Sequence, residues 1–133
     1  MTERVSDGPE MVRRMAPRLV PGHFAFRTLN DAADLAEALP QAQGMFRERE
    51  GISVILPADP GAPLAMRQIT LDVPSALDGV GLTAAVAGAL ARSGIACNMV
   101  AAHHHDHVFV PEADADAAMD VLRALADGSE GKS

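Results

Sequence analysis

Two short stretches hold the residues best suited to chemistry. The first is His103-His104-His105-Asp106-His107, four of the five histidines and an aspartate in five consecutive positions. Imidazole and carboxylate are ligand types of zinc and nickel. In a straight strand His103, His105 and His107 share a face, which makes them a candidate metal set. A chain that turns at 104–106 splays them, and only His23 remains elsewhere as a further imidazole. Neutral histidines are also ordinary residues for an exposed hairpin end. The second stretch is Gly79-Val80-Gly81-Leu82-Thr83-Ala84, which fits the G-x-G-x-x-A form of the dinucleotide fingerprint and opens a helix. That fingerprint needs a strand running straight into its first glycine and an acid about 20 residues on. Here Pro74–Asp78 intervene and Met99–Ala102 offers no acid, so a nucleotide is disfavoured. Free amides at a glycine-rich helix start still favour an anion, and an amino-acid carboxylate suits as well as a phosphate. The plain alternative is that Gly79 and Gly81 only turn the chain.

Acid–base or nucleophilic catalysis has no apparatus in this sequence. His104, His105 and Asp106 lack an adjacent nucleophile, and there is no G-x-S-x-G and no carboxylate pair near the glycines. The single Cys97, between Ala96 and Asn98, reads as a small buried hydrophobe and excludes an internal disulfide. No enzyme and no cofactor are expected. Asn98 stands among apolar residues; it either satisfies nearby backbone or faces an interface that a ligand or second chain completes. A formal net charge of −7, scattered arginines, four Phe and no Trp or Tyr speak against nucleic acid. No segment has the apolar length of a membrane span. The expectation is a cytoplasmic protein without nucleic-acid or membrane partners.

These residues must be held by elements that the pattern outlines. His23–Leu29 alternates as a strand, Asn30-Asp31 caps a helix over about 31–39, and Pro40 stops it. Met45–Glu48 and Ile52–Leu56 flank Glu50-Gly51 as a hairpin. Met66–Val73 is a strand, Leu82–Arg92 a helix ended by Ser93-Gly94, and Ile95–Ala101 and Val108–Val110 are strands facing across the histidines. An acid-rich helix follows Pro111, its buried face formed by Ala115, Ala118, Met119, Leu122 and Leu125. The same strand-helix-strand-strand order occurs twice, which predicts an α+β fold with helices on one face of antiparallel sheets that join or share strands.

The stretch Val80–Ala87, then Gly94–Val100, then His105–Pro111, resembles the ACT domains of small bacterial tandem-ACT proteins, which are related to the ACT domains of the CASTOR arginine sensors. Phe24–Thr28 and Phe46–Pro57 look like the N-terminal half of that family. The resemblance implies two ferredoxin-like βαββαβ units in tandem: a flexible N-terminus over 1–16, an N-terminal ACT-like unit over 17–64, a C-terminal ACT domain over 65–126 and a flexible tail over 127–133. It implies a regulatory homodimer that binds a small molecule such as an amino acid. The ligand would lie between the first strand–helix loop, Ser75, Asp78, Gly79, Val80, Gly81 and Leu82, and a neighbouring unit's second strand at positions Ile95 and Asn98. Asp106 matches an aspartate that contacts ligand in the arginine sensors. Pro74 and His103-His104 depart from the family pattern.

Overall fold

The alternating chain around Ile69 lies at the middle of a sheet, and its neighbours arrive from both ends of the sequence. The computed structural model describes residues 5–74 and 76–128. Helix α1 (Gly8–Arg13) opens with Asp7, whose carboxylate accepts the Glu10 amide, and with Pro9 in its first turn. Strand β1 (Pro17–Leu19) leads through a kink at Val20-Pro21-Gly22 into β2 (His23–Leu29). Asp31 caps α2 (Ala32–Ala38) by accepting the amides of Ala33 and Asp34, and a 3-10 turn carrying Pro40 ends it. Strands β3 (Gly44–Glu48) and β4 (Gly51–Ala58) form the expected hairpin. Then come β5 (Met66–Leu71), α3 (Leu82–Arg92), β6 (Asn98–Ala101), β7 (Asp106–Pro111) and α4 (Ala115–Ala126).

All strands join one antiparallel sheet in the order β3-β4-β2-β5-β7-β6, with β1 also on β5. Its two halves are ferredoxin-like α/β units. The C-terminal unit runs β5-α3-β6-β7-α4, but its fourth strand is β1, paired from Pro17↔Leu71 to Leu19↔Ile69. The N-terminal unit is β2-α2-β3-β4. It meets β5 only at Phe24↔Met66, after the kink has carried the chain off the β1 register. As expected, the two sheets share strands.

One sheet face is covered by helices. Ile69 and Leu71 of β5 and Val108 and Val110 of β7 pack with Val86 and Leu90 of α3 and Leu122 of α4, and each of these seven side chains is fully buried. Alternation puts Phe24, Ile55 and Phe109 on the other face in a smaller cluster.

Three expectations change. Within the presumed flexible residues 1–16, α1 forms, and Met11 and Met15, four apart, are buried at 1% and 0% exposure beneath α3 and α4. Residues 95–97 leave the strand because their chain closes α3. The Ile95 amide bonds Leu90 O and the Gly94 amide bonds Ala91 O, with Gly94 at φ +73°. Strand β5 stops at Leu71, where Asp72 turns to the Arg18 guanidinium at 3.0 Å. Among the described residues no helix is long and apolar enough to cross a membrane.

Candidate functional site

The glycine-rich loop and Asp106 come together. Gly79, Gly81, Leu82, Thr83 and Asp106 line one cavity of about 130 Å³, with Met11 of α1 on its wall. Gly81 starts α3 at φ +112°, a conformation that favours glycine, and no side chain caps the helix. The first intrahelical bond there is Ala85 N–H to Gly81 O. Among the described residues the amides of Leu82, Thr83 and Ala84 have no partner within the helix, and they lie at its positive end beside a cavity that Asp106 also lines. Such a pair of poles can hold a ligand carrying both charges. Val80 and Asp78 are exposed on the loop, and Ser75 lies outside the described residues.

The N-terminal segment lies across this loop. The Val5 amide donates to Pro74 O at 2.8 Å, and Val5 O accepts the Ala76 amide at 2.9 Å. Gly8 sits so close to Val80 that a Cβ there would collide with the Val80 carbonyl oxygen. A Cβ on Gly79 would lie 3.0 Å from Met11 Cε. Sequence reasoning missed these contacts; the i, i+4 spacing of Met11 and Met15 was the available signal.

The histidines do not act together. Ala102 N–H bonds His105 O at 3.1 Å, so the chain reverses within the run. His103 and His104 stack edge-on at the exposed tip with centroids 4.9 Å apart. His107 stands on the helix-free face of β7. Its Nδ1 is 2.9 Å from Thr70 Oγ1 and 3.2 Å from Gln68 Nε2, while Gln43 Nε2 donates to Gln68 Oε1 at 2.6 Å. An amide nitrogen can only donate, so Nδ1 accepts and the ring is held neutral. Burial pushes the His107 pKa below its ordinary value, and His105 nearby adds to this. The candidate set His103, His105 and His107 is thus not assembled; among the described residues no three His, Cys, Asp or Glu are grouped to hold a metal.

Two ACT-domain models match the chain in succession, over residues 6–67 and 63–124. A Vibrio cholerae protein of unknown function, described as a possible transport protein, is 36% identical to it. The match covers 85% of this chain and 91% of that one, with a TM-score of 0.74. The chain belongs to the ACT-domain family. An Agrobacterium tumefaciens protein shares the fold at 21% identity and a TM-score of 0.61, covering 83% of this chain and 87% of its own. E. coli aspartokinase III, solved with aspartate and ADP, shares it at 16% identity and a TM-score of 0.59, covering 83% of this chain and 33% of that one. No curated protein matches the chain.

Within this tandem ACT arrangement the two remaining candidates stand apart from the loop cavity. Ile95 is buried at 6% exposure in the helix-side core. Asn98 begins β6 on the far face of the sheet, where its Nδ2 reaches Phe109 O at 3.5 Å and its side chain borders a cavity with Phe26, Arg27 and Leu64. Neither lines the crevice of its own unit. Cys97 is half-buried against the core, and burial pushes its thiol pKa up.

Proposed function

We propose that this ACT protein is a non-catalytic sensor or regulatory module that binds an amino acid in the crevice between Gly79–Leu82 and Asp106. The observation that carries this is the shared cavity, where the start of α3, without a side-chain cap among the described residues, and Asp106 line one ligand-sized space. The amides take the ligand carboxylate and Asp106 takes its ammonium group. The parallel with the arginine sensors rests on Asp106, although a space of about 130 Å³ suits a small amino acid better than arginine.

The protein works as a homodimer in this reading. Strands β3 and β6 are the outer members of the sheet, and each offers unpaired main-chain groups to a second copy. Asn98, on one of those edges, then faces a neighbouring unit. A cytoplasmic setting suits its lone thiol.

Thermal melting with each proteinogenic amino acid tests the proposal. A ligand at a hundred times its Kd adds about 2.7 kcal/mol to stability. One amino acid should raise the midpoint of the native protein and not that of Asp106→Asn. A screen in which none does, or in which Asp106→Asn responds equally, refutes the reading.

A further inference from the structure

We propose that Met11, carried in by the N-terminal segment, is the specificity wall of the loop crevice, and that it restricts the ligand to an α-amino acid with a short, uncharged side chain. This rests on the crevice reading above and names the class of ligand that fits it. Among the described residues that line the crevice, Met11 alone is supplied from outside the C-terminal unit; the others lie between 76 and 83 and at 101 and 106. It is 1% exposed, so its thioether end is packed inward.

Gly79 shows where that end sits. Gly81 stands at φ +112° and favours glycine for its backbone, but Gly79 has no positive φ, so the turn itself does not demand a glycine there. A Cβ at 79 would lie 3.0 Å from Met11 Cε and 3.2 Å from Met11 Sδ. The methionine fills the space that a side chain on the loop would take. Its helix is anchored on both sides: Val5 bonds Pro74 and Ala76 through its main chain, Gly8 lies against the Val80 carbonyl, and Met15 is fully buried one turn later. With the helix so held, Met11 can yield to a larger ligand only by leaving a packed rotamer.

The other lining residues account for the rest of the selection. Ala76, Thr83 and Ala101 are short, Leu82 belongs to the helix-side core, and Leu77 is 68% exposed and stands at the open side. Met11 is therefore the side chain with the reach to decide how far a ligand side chain extends. Asp106 is the one charged residue among the described lining residues, and in this site it takes the ligand's ammonium group. That leaves no second acid for a basic ligand side chain and no base for an acidic one, and burying either charge unpaired is costly.

The probes are the straight-chain series glycine, alanine, 2-aminobutyrate, norvaline and norleucine, titrated calorimetrically into the full chain. The native protein should bind a short member best and lose affinity beyond it. Met11→Ala removes Cγ, Sδ and Cε, so the optimum should move to a longer member, with a gain of about fourfold for each methylene newly accommodated. Met11→Leu keeps the side-chain volume but shortens its reach by one atom, so it should lengthen the optimum by one methylene while the fold stays intact. Met15→Ala removes an equally buried methionine that does not line the crevice, and it should lower the melting midpoint but keep the native order of ligands. An order unchanged in both Met11 variants, a native protein that binds norleucine best, or aspartate or 2,4-diaminobutyrate binding as tightly as 2-aminobutyrate overturns this inference and leaves the crevice reading standing. If no member of the series binds the native protein, both fall together.

Discussion

Replacing Gly8 by alanine tests whether the N-terminal segment is truly seated on the glycine-rich loop. In an ordinary helix this change stabilises by up to about 1 kcal/mol, because alanine is the better helix former. Here the new Cβ would meet the Val80 carbonyl oxygen, which belongs to the loop backbone and cannot rotate away as a side chain could. Overpacking of this kind costs about 1–3 kcal/mol. The chain could escape by releasing the segment, but that would break the two main-chain bonds of Val5 and expose Met11. At about 1 kcal/mol per bond and about 1.5–3 kcal/mol for the methionine, release is the dearer course. The segment should therefore stay and push the loop aside. With about 3–5 °C per kcal/mol for a chain of this size, the melting midpoint should fall by roughly 3–15 °C. Hydrogen exchange should quicken at residues 76–85 and not in the middle of α4. A Gly8→Ala protein that melts at or above the native midpoint, with unchanged exchange in the loop, refutes the seated arrangement.

Other perturbations have definite outcomes. Met15→Ala removes a fully buried side chain and should cost about 2–5 kcal/mol in denaturant unfolding, whereas a flexible lead-in would give nothing. Gly94→Ala forces a side chain into φ +73° and should cost about 1–2 kcal/mol, measured the same way. Because the folded His107 pKa is lowered, the unfolded chain takes up its proton first as pH falls. Stability from this residue is then full above about pH 6.5 and declines below it. His107→Asn, which keeps an acceptor near Nδ1, should flatten that part of a stability–pH curve; an unchanged slope would show that other groups set it. Arg18→Ala breaks an exposed pair with Asp72 and should shift stability by no more than about 1 kcal/mol.

The elements with strong periodicity were readable from the chain. Leu82–Arg92 and His23–Leu29 have the bounds that their apolar spacing and flanking turns predict. Residues 5–16 were not, because Gly8-Pro9 and the adjacent Arg13 and Arg14 outweigh two methionines whose burial depends on elements some seventy or more residues downstream. Gln68 and Thr70 alternate with Ile69 and Leu71, which reads as a strand with one wet face. The face is instead folded over by the curl of the sheet, so both polar side chains are buried and need His107 and Gln43 as partners. At the candidate site, the meeting of Gly79–Leu82 with Asp106 follows from β7 lying beside β5. The cover supplied by α1 does not follow from any local pattern.

The placement of β1 has a consequence for how the chain is made. Residues 8–19 leave the ribosome well before their hydrogen-bonding and packing partners β5, α3 and α4 have been made. The N-terminal methionines must stay uncovered until residue 126 or so has emerged. Neither half can then complete itself during translation, and folding should be a single late event with long-range closure as its slow step. A cut between the two family-model matches would leave the second half without its edge strand and the first with an orphaned helix. The tandem is two repeats in sequence and one cooperative unit in folding.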